Sequence, residues 1–135
     1  MAVYLSNGVQ VTVNSIDLSA YVSSATLNRN YDELEVTAMG DTGHKYVAGL
    51  EASSVTLDFF NDWATGKVGQ TLDTLVGTTT TLVLKPGAGA VSATNPSYTM
   101  TVLVNNITPI NGAVGDLATQ SVTWNVSGAI TKATA

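Results

Sequence analysis

Alternation of apolar and polar residues with a period of two runs through most of this chain, and it restricts those segments to β-strands. Val9, Val11 and Val13, for example, alternate with Gln10 and Thr12. The same pattern recurs around three further apolar sets: Val55, Leu57 and Phe59; Tyr98, Met100, Val102 and Val104; and Val122, Trp124 and Val126. Weaker strand patterns cover residues 24–31, 34–39 and 79–85. About seven strands of this kind predict a mainly β, two-layer sandwich or barrel-like domain.

One segment departs from this pattern and predicts a short flanking helix over about residues 67–77. Val68, Leu72, Leu75 and Val76 fall on one helical stripe. Gly77 suits the position just after a helix, where a positive φ is common. The stripe is expected to cover one open end or face of the sheets.

Three long segments have no sustained period: residues 40–53, 86–96 and 108–119. Structureless loops of this length are uncommon in compact domains unless they function or are disordered. The first contains Tyr46, Val47 and Leu50, which favour burial. We therefore expect such loops to be ordered by a neighbouring subunit.

Charged residues make up only 11% of the chain, against about 25% in ordinary soluble domains. The mean hydropathy is +0.21. Uncharged polar surface is easily desolvated, and the centres of protein interfaces are depleted in charge. This composition fits a weakly charged, Thr-rich β-domain, or a surface that copies of the same chain cover.

The charge balance argues against a surface that grips nucleic acid. The net charge is −5, and the five basic residues are scattered singly along the chain: Arg29, Lys45, Lys67, Lys85 and Lys132. Binding to phosphates requires clustered Lys and Arg. No apolar run reaches 18 residues, so we expect no membrane insertion. The first residues lack a secretory signal, and we expect synthesis in a cytosol.

The residues that carry enzyme or metal chemistry do not form a recognisable constellation. His44 is the single histidine. Asp41 is the one candidate metal ligand near it, and the positive charge of adjacent Lys45 disfavours binding of a metal ion. There is no cysteine and no nucleophile elbow. We expect no cofactor and no enzymatic activity.

Four blocks in order carry a family resemblance: residues 17–22 (DLSAYV), 40–51 (GDTGHKYVAGLE), 93–98 (ATNPSY), and 115–119 (GDLAT) with 122–124 (VTW). In this order and spacing the chain resembles the major tail tube proteins of long, non-contractile-tailed bacteriophages. The resemblance implies a β-sandwich with a flanking helix, assembled as six-fold rings that stack into a hollow tube. Sheets of neighbouring subunits would join into a ring β-barrel whose lumen conducts viral DNA during ejection.

The resemblance also implies a location and partners. The protein would belong to the virion tail and be assembled in the host cytoplasm. Its partners would be copies of itself and the tape measure, tail terminator and distal tail proteins, with DNA passing transiently. Six copies of a chain with net charge −5 carry about −30, which would repel DNA from the wall.

Residues 1–135 are expected to form one domain, with terminal arms at 1–7 and 128–135. By the resemblance, a long loop at about 40–52 reaches the adjacent ring. Its candidate contact residues are Asp41, His44, Lys45, Tyr46, Val47, Leu50 and Glu51. Glu33, Glu35 and Asp58 are candidates for the lumen wall, with solvated exterior acids as the other reading.

The alternative function is a β-sandwich binding module that decorates a virion or binds carbohydrate. Carbohydrate binding favours exposed aromatic platforms. Trp124 lies in the apolar phase of its strand, which leaves Trp63 as the candidate platform.

Overall fold

The structure is a computed structural model that describes residues 8–135. The predicted N-terminal arm, residues 1–7, lies outside the described residues. Between residues 8 and 135 the elements in chain order are β1 (Gln10–Val13), β2 (Ile16–Asp17), β3 (Val22–Asn28), β4 (Tyr31–Glu35), β5 (Tyr46–Glu51), β6 (Ser54–Phe60), α1 (Val68–Leu75), β7 (Thr79–Lys85), β8 (Ser97–Leu103), β9 (Thr119–Asn125) and β10 (Thr131–Ala133).

The strands form three antiparallel sheets. The first has five strands in the order β10-β8-β7-β1-β2, and the second has three in the order β3-β6-β9. A separate hairpin pairs β4 with β5. The mainly β fold with one short helix is thus confirmed.

One hydrophobic core joins the five-stranded and three-stranded sheets. Val55, Leu57 and Phe59 of β6 are fully buried, and they alternate with Thr56 and Asp58 on the other face. The core continues through the inward residues of the neighbouring strands: Val11, Val13, Leu82, Leu84, Met100, Val102, Val122 and Trp124. The period-two pattern therefore marks strands that have one face in a two-layer core.

Trp124 lies at the centre of this core. Its side chain is fully buried, as its position in the alternation predicts. The indole Nε1–H donates a hydrogen bond to the backbone oxygen of Asn106 at 3.0 Å. The one polar atom of this large side chain is thus satisfied inside the core.

Helix α1 confirms the predicted helix, with Val68 and Leu72 buried in the core. Gly77 has φ = +85°, as predicted for the residue after the helix. Val76, predicted to belong to the apolar stripe, instead lies beyond the helix end and is partly exposed. Gly69 lies against Trp63, where an added Cβ would come within 2.8 Å of the indole ring. Close packing therefore explains a glycine in the first turn.

The prediction of an irregular loop over residues 40–53 was wrong for 46–51, which form β5. The reason is physical: the β4–β5 hairpin has no core face, so its apolar residues need not alternate with polar ones. Residues 128–135 also differ from the predicted C-terminal arm. Ile130 is buried, and β10 pairs with β8, so this segment belongs to the sandwich.

The loop at residues 86–96 is organised from within the chain. The Asn95 side chain accepts a hydrogen bond from the Gly87 N–H at 3.0 Å and donates to the backbone oxygen of Gly89 at 2.9 Å. No neighbouring subunit is needed to explain the order of this loop.

Substitution of the two tryptophans by phenylalanine tests the core. We expect Trp124→Phe to lower the free energy of unfolding by about 2–4 kcal/mol, because it leaves a cavity and an unpaired Asn106 carbonyl. Trp63→Phe is the matched control, and we expect less than about 1 kcal/mol because this side chain is half exposed. Urea unfolding followed by circular dichroism measures both values. Equal losses at the two sites would contradict the central role of Trp124.

Candidate assembly surfaces

Residues 31–51 form a projecting hairpin, here called the arm. All five residues of β4 are exposed. The register pairs Glu33 with Ala48, Leu34 with Val47, and Glu35 with Tyr46. At its base, the N–H of Ala52 donates a hydrogen bond to the oxygen of Asn30 at 2.7 Å. The two ends of the arm therefore meet at the edge of the sandwich.

The arm presents apolar side chains that no other part of residues 8–135 covers. Leu34, Val36 and Val47 are each about half exposed, Leu50 is 81% exposed, and Met39 at the turn is completely exposed. Directly paired residues share a face of a hairpin. Leu34, Val36 and Val47 thus form what we call the apolar face. Exposed apolar surface of this extent is typical of a protein contact site.

Five of the ten acidic residues of the chain lie on the arm, with one lysine and one histidine. The arm therefore carries a net charge of −4 when His44 is neutral. Glu33 and Glu35 share the face opposite the apolar face, which we call the acidic face. The two faces differ in their main groups, although Tyr46, paired with Glu35, shares the acidic face and Asp32 lies on the side of Leu34.

The turn of the arm, residues 36–45, is held by side-chain hydrogen bonds. The Thr37 hydroxyl donates to Glu35 at 2.8 Å and accepts from the Lys45 N–H at 3.0 Å. Asp41 accepts from the Ala38 N–H at 2.7 Å and pairs with Lys45 at 2.9 Å. His44 Nδ1 pairs with the Glu35 carboxylate. The turn therefore has a defined shape despite its exposure.

These bonds lower the pKa of two carboxyl groups. The pKa of Glu35 lies below its usual value of 4.5, first because of His44 and second because of Thr37. The pKa of Asp41 lies below its usual 3.8, mainly because of the Ala38 N–H and then because of Lys45. Both carboxylates stabilise the turn in their ionised form.

The structure places all seven predicted contact residues on the arm: Asp41, His44, Lys45, Tyr46, Val47, Leu50 and Glu51. Glu51 differs from the others, because its side chain is 8% exposed and pairs with Arg29 at 3.3 Å. It therefore holds the base of the arm. Leu34 and Val36 were missed as contact candidates. The signal for Leu34 was its place in a weak strand pattern across from Val47.

The three acids predicted to share a lumen wall lie on two separate sheets. Glu33 and Glu35 belong to the arm, and Asp58 belongs to β6. Asp58 accepts a hydrogen bond from the Ser121 hydroxyl. It is the one charged side chain on β3, β6 and β9. Its neighbours on the outer face of that sheet are Ser24, Thr26, Thr56, Ser121 and Thr123.

The two edges of the three-stranded sheet are unlike. The β9 edge is covered by the preceding loop: the Ser121 N–H donates to the Thr108 hydroxyl at 2.9 Å, and Asn106 Nδ2 donates to the Thr123 oxygen at 2.9 Å. Strand β3 pairs with β6 on one side, and it lies at the opposite edge of the sheet. Such an edge can accept another strand.

A groove of about 860 Å³ opens beside the β3 edge, between the two layers of the sandwich. Val22, Ala25 and Leu27 line it on the β3 side. Leu84, Pro96 and Tyr98 line it from the five-stranded sheet and the loop before β8. Arg29 and Lys85 are its charged lining residues.

A smaller cavity of about 330 Å³ lies beside Trp63, and it is lined also by Asn61, Pro109 and Ile110. This is the remaining place for a carbohydrate platform. Within residues 8–135, no three His, Asp or Glu side chains are grouped to hold a metal ion. Over the same residues, no helix has the length and apolar character to cross a membrane.

Chains from three solved assemblies share this fold over nearly their full length. A chain of the virion of a native gene transfer agent particle aligns with a TM-score of 0.77 and 11% identity, covering 96% of this chain and 98% of that one. A chain from the tail of an empty gene transfer agent particle, refined with C6 symmetry, has a TM-score of 0.66 and 13% identity, covering 99% and 100%. A chain of the six-fold symmetrised anti-feeding prophage baseplate has a TM-score of 0.59 and 11% identity, covering 99% and 98%.

The likeness is one of fold. No protein-family model matches the sequence, and no curated protein matches it significantly. At identities of 11–13%, shared architecture is what the three structures establish. The overall fold of this chain, a sandwich with one short helix, therefore aligns with all three chains.

The turn of the arm provides a test by pH. Because the pKa of Glu35 is lowered in the folded arm, the stabilisation from this carboxylate is fully present above the usual value of 4.5 and is lost as the pH falls through the lowered pKa. We expect His44→Ala to raise the pKa of Glu35, and Thr37→Val to raise it less. Carboxyl ¹³C NMR titration measures both.

The control in the same spectra is Asp41, whose pKa depends on Ala38 and Lys45 and should not move in His44→Ala. An unchanged Glu35 titration in His44→Ala would show that the His44 contact does not form in solution.

Proposed function

We propose that this chain is the repeating structural subunit of a phage-type tail tube, in which six-fold rings stack around a lumen that conducts DNA. The proposed role is structural rather than enzymatic. The fold is shared end to end with chains of virion, tail and baseplate assemblies, two of them described as six-fold. The observation that carries the proposal is the exposed apolar arm, whose residues take no part in the core of the domain.

Ring closure in this proposal uses the β3 edge. A head-to-tail contact between unlike surfaces closes into a ring when its rotation is a whole fraction of a turn. Within residues 8–135, no strand pairs with the outer edge of β3, whereas the β9 edge is covered by Asn106 and Thr108. The neighbouring subunit would therefore add a strand other than β9 to the three-stranded sheet at β3, in line with the ring β-barrel that the resemblance implies.

Stacking in this proposal uses the arm. It leaves the sandwich between β3 and β6, and its apolar face has no partner within residues 8–135. An apolar hairpin of this kind costs solubility on a monomer and gains stability when another ring covers it. The candidate contacts Tyr46, Val47 and Leu50 act here together with Leu34.

The outer face of the β3-β6-β9 sheet is the proposed lumen wall. Hydroxyl groups dominate it, and Asp58 supplies its charge. Six copies would place a ring of carboxylates around the lumen and no basic residue from these strands. The lumen wall would then offer no cationic side chain to the phosphates, so DNA would pass without being bound. Glu33 and Glu35, being on the arm, are assigned to the stacking contact instead.

The proposed location is the tail of a virion, with assembly in the host cytoplasm. Tape measure, tail terminator and distal tail proteins are the further partners that this role requires. The alternative, a carbohydrate-binding module, is supported by half-exposed Trp63 beside its small cavity. Chemical shift changes of the Trp63 indole on addition of oligosaccharides would favour that alternative.

Removal of the arm tests the proposal. Because Asn30 and Ala52 are already hydrogen bonded, a two-glycine turn can replace residues 31–51 and join β3 directly to β6. We expect this variant to keep its circular dichroism spectrum and cooperative unfolding, and to form no tubes by negative-stain microscopy.

The matched point variants are Val47→Ser on the arm and Leu103→Ser on β8, where the leucine is similarly exposed. We expect Val47→Ser to shorten tubes and Leu103→Ser to leave them unchanged. Tubes built from the armless protein would overturn the stacking role. A native protein that stays monomeric at high concentration and on tail assembly would overturn the tube itself.

A further inference from the structure

Among residues 8–135, no side chain fills the groove beside β3, which lies between the two layers of the sandwich. One wall is the inward face of the edge strand β3, with Val22, Ala25 and Leu27. The other wall is formed by Leu84, Pro96 and Tyr98. Its volume of about 860 Å³ is large enough for several side chains at once. Ser19, Ser23, Ser24 and Thr94 also line the groove, so it suits an occupant that carries both apolar and polar side chains.

The charges around the groove are opposite to those of the arm. Arg29 and Lys85 line the groove, which has no acidic lining residue. The ammonium of Lys132 lies 6.0 Å from the ring of Tyr98, another lining residue. Three of the five basic residues of the chain thus lie at or near the groove, whereas half of its acids are on the arm. The acids next to these groups are Glu51, which pairs with Arg29, and Asp17, which bonds to the lining residue Ser19.

The lengths of the two features also agree. At about 3.3 Å per residue, the strands of the arm span about 17–20 Å, and the seven residues of β3 span about 23 Å. When the apolar face of the arm packs in the groove, Glu33 and Glu35 on its other side remain available to Arg29 and Lys85. Arg29 uses two of its nitrogens on Glu51, which leaves further N–H donors for a second carboxylate.

The arm does not fill the groove of its own chain. All five residues of β4 are exposed, and the apolar face stays uncovered. A second exposed apolar surface within residues 8–135, around Trp63, Ile110 and Leu117, suits the arm less well. Asp62 and Asp116 lie in the same loops as these residues, and would repel an arm with a net charge of −4.

We propose that this groove is the receptor for the arm of a second copy of the same chain. The inference rests on the proposed stacking function, and it names the surface to which each arm binds. The apolar face packs on Ala25, Leu27 and Leu84, while the acidic residues of the arm approach Arg29 and Lys85. Charge complementarity would fix which end of a subunit meets the next one.

Disulfide trapping tests this placement, because the chain has no native cysteine. The first variant combines Val47→Cys on the apolar face with Thr94→Cys at the groove. Each subunit then has one arm thiol and one groove thiol, so mild oxidation of assembled protein should give a ladder of dimers, trimers and larger species on non-reducing gels. Either single variant can give dimers at most.

The matched control combines Val47→Cys with Ala113→Cys, which lies beside the Trp63 cavity. We expect this pair to give no ladder. A ladder here and none from the groove pair would place the arm on the Trp63 surface and overturn the inference. Circular dichroism and thermal melting show whether each variant folds, and Ser23→Cys replaces Thr94→Cys if the latter does not.

Two further outcomes separate this inference from the proposed function. Normal tubes without a ladder from either groove position would overturn the groove assignment and leave the tube intact. Absence of any assembly by the cysteine-free protein would overturn both. A Val3→Cys/Thr94→Cys variant that forms an intramolecular disulfide, with no ladder from the arm pair, would show that residues 1–7 occupy the groove instead.

Discussion

Burial of one face of β6 organises the rest of this structure. β6 is the middle strand of the three-stranded sheet, and Val55, Leu57 and Phe59 point from it into the core. Full burial of three such side chains contributes several kcal/mol. The same strand turns Thr56 and Asp58 outward, so the core and the proposed lumen wall are opposite faces of one element.

The start of β6 is also where the arm is fixed to the sandwich. Ser53 is almost fully buried, and its carbonyl accepts a hydrogen bond from the Val126 N–H at 3.0 Å. Its hydroxyl bonds to Glu51 at 3.2 Å and accepts from the Asn30 N–H at 3.3 Å. Arg29 completes this root through Glu51. A hairpin without a core of its own is marginal in water, so these bonds are what orient the arm.

The sequence predicts those parts of the fold whose residues face a core. Val55–Phe59 and Val122–Trp124 alternate because one side of each strand is buried, and Val68 with Leu72 follow the helical period for the same reason. The β5 strand escaped prediction because both of its faces are exposed in the chain. Tyr46, Val47 and Leu50 nevertheless stood out as apolar residues without a periodic role, and this is why the sequence predicts a contact surface there.

Surface placement was less accessible to prediction than secondary structure. Glu33, Glu35 and Asp58 each occupy polar strand positions, but strand pairing decides which sheet carries them. The groove was not predicted at all, since Arg29, Lys85 and Tyr98 are distant in sequence and meet only through the two-layer packing.

The few charged residues of this chain are unevenly distributed, and their distribution has a physical consequence. Negative charge is concentrated on a projecting hairpin, and positive charge is concentrated beside an open seam. Exposed ion pairs add little stability, but opposite patches steer association and oppose the wrong orientation. A largely uncharged remainder lowers the desolvation cost when copies cover one another. In the proposed assembly, this pattern would therefore favour one polarity, and most of the contact energy would come from apolar surface.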